Sequence, residues 1–167
     1  NKKMQGADFL RALNNLGGSF GIGRSVFSSD TIIGLKGRFV FEAPGITILM
    51  SAHRALEEAV LTDKQNLVKT QIGQEWVNLV YRGFYFEPLR ENLEAFLLDS
   101  QKMVSGEVTL KLSPGSVDAV AVSSKNILKS PEGEYAQSAT WSESESKGFI
   151  KLIGQSTSTW ASIHKKK

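Results

Sequence analysis

Residues 88–122 read PLRENLEAFLLDSQKMVSGEVTLKLSPGSVDAVAV, and within them the hydrophobic period changes. Pro88 stands where a first helical residue would, its missing N–H being harmless there. Leu89, Leu93, Phe96, Leu97 and Val104 follow at helical spacing, and Ser105-Gly106 breaks the stripe. Val108, Leu110 and Leu112 then alternate with Thr109 and Lys111, which predicts a half-buried strand. Ser113-Pro114-Gly115 predicts a turn, and Val117 to Val122 a second strand completing a hairpin.

Upstream the helical signal continues. Val68, Ile72, Trp76, Leu79 and Val80 share a face, and Gly83 is a natural stop. Thr62-Asp63-Lys64-Gln65 has the spacing of a capping box, with Thr62 as N-cap. Pro44-Gly45 precedes another apolar stripe over Ile46–Leu61. Ser19 to Phe41 predicts strand or loop, with turns near Ser28-Ser29-Asp30 and Gly34. The first helix is expected over Asp8–Leu16, with Gly17-Gly18 as its stop. The fold class is therefore α+β: central helices, short mainly antiparallel strands and a C-terminal extension. From Ser123 to Ser146 the chain turns polar, and Ser142-Glu143-Ser144-Glu145-Ser146 is expected as an exposed loop. After Gly148 the Ser and Thr content makes any helix weak in isolation, as in an extension that docks on a partner chain.

The 167 residues suit one domain with an extension, and no cysteine is available for a disulfide, a Cys-zinc site or a thiol nucleophile. The net charge of +3 equals the charge of Lys165, Lys166 and Lys167, so the remainder sums to zero. No basic-aromatic platform speaks for nucleic acid, and no apolar run approaches a membrane span. No signal peptide is visible at Asn1–Gly6.

Single motifs carry little chemistry. Gly17-Gly18-Ser19-Phe20-Gly21-Ile22-Gly23 follows a helix and precedes a strand, the reverse of a phosphate loop, so a helix stop is the simpler reading. His53 and His164 lack the spacing of a zinc pair, and His53 reads as a hydrogen-bonded structural residue. Glu57 and Glu58 point about 100° apart on a helix and read as solvated surface. The run Tyr81-Arg82-Gly83-Phe84-Tyr85-Phe86 reads as a packed connector or an interface.

Taken in order, however, the segments match one family. Gly21-Ile22-Gly23-Arg24, Ile33-Gly34-Leu35-Lys36-Gly37-Arg38 and Phe41-Glu42-Ala43-Pro44-Gly45 resemble the GIGR, IGMKSR and YETPG run of argininosuccinate synthases. Thr47-Ile48-Leu49 and Ala52-His53-Arg54 resemble TILYHAHRDLE. Leu79 to Pro88 resembles LVYNGLWFSPERE, Ser100 to Gly106 resembles ESQKRVTG, and Gly148-Phe149-Ile150 resembles a GFI near the family's C-terminal extension.

The resemblance implies an AMP-forming ligation of citrulline and aspartate to argininosuccinate, in the cytoplasm, on the way to arginine. It implies ATP with Mg2+ bound by an N-terminal nucleotide-binding domain, whose SGGLDTS loop has no counterpart here. By it, residues 1–147 are the C-terminal part of the catalytic and multimerisation domain, and residues 148–167 an oligomerisation extension of a homotetramer. The fragment alone is expected to be inactive. A non-catalytic oligomerisation module keeping the family fold is the alternative; an upstream SGGLDTS domain in the parent gene favours the enzyme, and a complete gene starting at Met4 the module. Lys36 and Arg38 match the KSR motif and are read as structural or pocket-shaping. The family holds citrulline with a Glu in VENRF and a Tyr in YETP. Aligned without gaps, Ser29 stands at that Glu and Phe41 at that Tyr. Losing a carboxylate that pairs with an ammonium weakens binding about 10–100-fold unless something compensates. Asp30 lies next door but faces the other side of a strand. Three readings follow: a contact elsewhere compensates; the enzyme takes N-acyl-citrulline, whose amide nitrogen is uncharged; or the chain is a paralogue with another substrate or lost activity.

Overall fold

The computed structural model describes residues 4–128 and 141–165. The chain divides into two compact units, Asn1–Leu128 and Lys129–Lys167. Among the described residues, six α-helices and two two-stranded antiparallel sheets make an α+β fold, as the periodicities predict.

The first unit runs α1 (Gly6–Ser19), β1 (Arg24–Asp30), β2 (Lys36–Glu42), α2 (Pro44–Val60), α3 (Asp63–Tyr81) and α4 (Pro88–Ser100). A 3-10 turn (Gln101–Met103), β3 (Glu107–Ser113) and β4 (Ser116–Ser123) follow. Its core gathers around α2. The buried apolar side chains are Ile48, Leu56 and Val60 on α2, Leu61 just beyond it, and Ile22 after α1. Helix α1 packs on α2, and the β3–β4 hairpin packs on α2 as well.

Glycine lets α1 and α2 approach closely. A Cβ on Gly17 would lie 2.8 Å from both Ile48 Cδ1 and Pro44 Cβ. Asn14 Oδ1 accepts from the Gly45 N–H at 2.8 Å, tying the helices where they cross. Gly17 is thus a contact residue inside α1 rather than its stop, which corrects the expected end at Gly17-Gly18. The helix runs to Ser19 and closes one turn later. The Gly21 N–H bonds to Gly18 O and the Ile22 N–H to Gly17 O, with Gly21 at φ 69°. This is a Schellman motif, and its left-handed residue is the glycine that tolerates it. Helix α3 ends the same way: Gly83, at φ 84°, donates to Val80 O, and Phe84 donates to Leu79 O.

The Thr62 cap is present as expected, with Gln65 N–H donating to Thr62 Oγ1 and the Gln65 side chain accepting from the Thr62 N–H. Pro88 begins α4. That helix ends at Ser100 instead of continuing to Val104, and the 3-10 turn carries the chain on to Ser105-Gly106. Ser28-Ser29-Asp30 is not a turn but the end of β1. The reversal comes at Thr31–Leu35, where Gly34, at φ 81°, donates to Thr31 O and Leu35 N–H donates to Thr31 Oγ1.

The second unit holds α5 (Glu143–Ile153) and α6 (Gln155–His164). Here the expected loop at Ser142–Ser146 is overturned. Ser142 is an N-cap, its Oγ accepting from the Glu145 N–H while the Glu145 carboxylate accepts from the Ser142 N–H. The same box that opens α3 therefore opens α5. The Ser142 N–H and hydroxyl hold the Glu145 carboxyl below the usual carboxylate range. Phe149, Ile150, Leu152 and Ile153 on α5, and Trp160 and Ile163 on α6, are exposed. Trp160 stacks on His164 at 4.4 Å between ring centroids.

Candidate functional site

Strands β1 and β2 pair in an unbroken antiparallel register from Arg24↔Glu42 to Asp30↔Lys36. Directly opposed residues share a face, and alternate residues along each strand share it too. Ser25, Phe27 and Ser29 thus lie on the same face as Phe41, Phe39 and Gly37. The register puts Ser29 opposite Gly37 and Phe41 opposite Ser25. The two sequence-predicted site residues share a face but do not touch, being four positions apart along the ribbon, or about 13 Å.

That face is aromatic and uncharged. Phe27 and Phe39 stand across the ribbon with ring centroids 5.9 Å apart. A Cβ on Gly37 would lie 2.7 Å from Phe39 Cε2, so the Phe39 ring covers Gly37, directly across from Ser29. Ser29 is half-buried, and Phe41 is exposed.

The ribbon's charges all lie on the reverse face. Arg24 Nε donates to Glu42 Oε1 at 2.7 Å, and Lys36 Nζ meets Asp30 Oδ1 at 2.7 Å. Lys36 and Arg38 therefore share the face opposite to Ser29 and Phe41. Asp30 lies on the face opposite to Ser29: the register has no bulge to turn it round, and Lys36 pairs with it there.

A second cluster lies on α2, where Glu57 is 7% exposed. Its Oε1 takes Lys69 Nζ at 2.7 Å, Gln101 Nε2 at 2.7 Å and His53 Nε2 at 3.0 Å. One carboxylate thus joins α2, α3 and the 3-10 turn. This corrects the expectation that both Glu57 and Glu58 are solvated surface. Only Glu58 is, paired at the surface with Arg54. His53 is hydrogen-bonded, as read from its place on the helix. The sequence signal for Glu57 was its position at the edge of the apolar stripe, four residues after His53 and three before Val60. Lys69 and Gln101 carried no such signal, because only the chain's return brings them in. A groove of about 730 Å³ opens beside this cluster between α2 and α3, lined by Met50, His53, Arg54, Asn66 and Thr70 among others.

Neither cluster is a self-sufficient active site. Among the described residues neither histidine hydrogen-bonds to a hydroxyl: His53 meets Glu57, and His164 meets the Trp160 carbonyl. Among the described residues no three acidic or histidine side chains converge as a metal site would need, and no helix is long and apolar enough to cross a membrane. The glycines after α1 keep the order helix, glycines, strand, and Gly17 and Gly23 are packed against Pro44 and Ala43 at the start of α2.

The family model described as the arginosuccinate synthase C-terminal domain matches residues 1–160. A protein named argininosuccinate synthase from Xanthomonas campestris pv. campestris is 52% identical over 164 residues, covering 98% of this chain and 41% of its own length. One from Xylella fastidiosa is 51% identical over 164 residues, with the same shares covered. One from Chlorobium chlorochromatii is 38% identical over 165 residues, again with 98% of this chain and 41% of its own length covered. The chain thus spans about two fifths of the length of these relatives.

Proposed function

From the premise that this chain belongs to the argininosuccinate synthase family and forms a C-terminal part of such a protein, we propose that the whole protein is an AMP-forming ligase. It joins aspartate to citrulline, or to a form of citrulline acylated on its α-amine, in the cytoplasm and as a step of arginine biosynthesis. The ureido oxygen attacks the α-phosphorus of ATP, forming an O–P bond as pyrophosphate leaves. The aspartate amine then forms a bond to the ureido carbon, losing its proton, and AMP departs with the oxygen.

In this reading the chain supplies one wall of the ureido-substrate pocket, the β1–β2 face bearing Ser29 and Phe41. The nucleotide-binding domain of the same protein supplies the ATP and Mg2+ site. A homotetramer uses the exposed apolar stripes of α5 and α6, which in water favour burial against another chain.

The observation that carries this reading is the family match across nearly the whole chain. The test compares the intact protein with the chain alone, given ATP, aspartate and the ureido substrate, and reads AMP and argininosuccinate formation. The intact protein turns over and the chain alone does not. An intact protein that releases no AMP with free or acylated citrulline ends the proposal.

A further inference from the structure

The sorting of charge between the two faces of the β1–β2 ribbon bears on what the pocket can hold. A free α-amino acid brings an ammonium group. Moved out of water, an ammonium needs a carboxylate or several oriented acceptors, because desolvating an unpaired charge is strongly unfavourable. The face bearing Ser29 and Phe41 offers hydroxyls, aromatic rings and Gly37, but no carboxylate. The ribbon's two carboxylates, Asp30 and Glu42, lie on the reverse face, each paired with a cation at 2.7 Å. The unbroken register fixes both there, since a one-residue slip would turn every side chain of a strand over at once.

An amide nitrogen makes a different demand. It is neutral, has a single N–H, and one hydroxyl oxygen can accept from it. Ser29 Oγ is an acceptor of that kind. The acyl carbons want an apolar neighbour, and the Phe39 ring lies over Gly37 directly across the ribbon from Ser29. No cation shares this face, so it favours an uncharged acyl group over an anionic one.

We propose that the ureido substrate of the intact protein is citrulline carrying a small uncharged acyl group on its α-nitrogen, and that Ser29 determines this specificity. The proposal rests on the reading that this ribbon face lines the ureido-substrate pocket.

The experiment uses the intact protein with ATP and aspartate, and compares kcat/KM for AMP release with citrulline and with N-acetylcitrulline. N-acetylcitrulline is expected to be preferred by about tenfold or more, the scale of one charge-assisted hydrogen bond. Ser29→Glu, checked for native helicity and melting temperature, shifts that preference toward citrulline by a similar factor. If the variant fails to fold, the wild-type comparison decides alone. Equal or better turnover of citrulline by the wild type overturns the proposal while leaving the family reaction standing. Turnover of neither substrate overturns the reading beneath it, and the proposal with it.

Discussion

The two hairpins are nearly equal in length, and the chain treats them in opposite ways. Hairpin β3–β4 turns tightly at Pro114-Gly115, with Ser113 paired to Ser116 and Gly115 at φ 74°. Its register shifts at Thr109/Leu110, burial alternates along β3, and it rests on α2. Hairpin β1–β2 turns through five residues and keeps a perfect register. Val26 and Val40 on one face and Phe27 and Phe41 on the other are exposed. A two-stranded ribbon alone is marginally stable in water. One hairpin is completed by its own unit; the other presents apolar surface on both sides. The candidate substrate residues, Ser29 and Phe41, sit on the incomplete one.

The largest effect should come from breaking the support near the completed hairpin. Glu57→Ala leaves Lys69 and Gln101 without their shared partner, and loss of one side of a mostly buried ion pair costs about 3 kcal/mol. Urea unfolding of the chain checks this. Gly106→Ala comes next, because its Cβ would lie 2.3 Å from Ser123 O at the open end of β3–β4 and 3.0 Å from Leu56 Cδ1. Overpacking of this kind destabilises by about 1–3 kcal/mol, read as a lowered Tm. On the incomplete hairpin, Val40→Thr should change the stability of this chain by less than about 0.5 kcal/mol, since Val40 is 82% exposed. The same change should become clearly destabilising in the intact protein if that face is covered there, and equal small effects in both would sink the comparison.

The smallest effect lies outside both hairpins and serves as their control. Glu145 has a lowered pKa in the folded chain, so its ionised form favours the α5 cap. That contribution is complete above the unfolded carboxylate pKa and is lost as the pH falls through the lowered folded value. An NMR titration should place the Glu145 midpoint below the ordinary glutamate range, and Ser142→Ala, which removes the hydroxyl but keeps the backbone N–H, should raise it only part of the way back.

Much of the first unit was legible where one local device settles one outcome. The Thr62–Gln65 box, Pro88, the Gly83 stop and the Val108-Leu110-Leu112 alternation all act within a few residues. What escaped depended on residues distant in sequence or on a competing local signal. Gly17 resembled a helix stop, but Ile48 and Pro44 make it a packing position. Ser142 and Glu145 had the same spacing as Thr62 and Gln65, yet the surrounding Ser-Glu repeat masked it. Glu57 looked solvated because Lys69 and Gln101 meet it only after the chain has returned. For the candidate site, alternation alone set Asp30 on the other face from Ser29. The pairing of Asp30 with Lys36, and the covering of Gly37 by Phe39, needed the cross-strand register.

The hydrogen bond from the Gly115 N–H to the Phe20 carbonyl, 2.7 Å long, joins residues nearly a hundred positions apart. Most bonds at a tight turn open when the turn frays. This one also requires the end of α1 and the tip of the last hairpin to be in place together. Long-range closures of this kind are made late in folding, because the chain entropy must be lost before the contact can reward it. The Gly115 amide should therefore exchange its hydrogen with solvent at a rate set by opening of the unit as a whole, making it a natural reporter of whether that unit holds together.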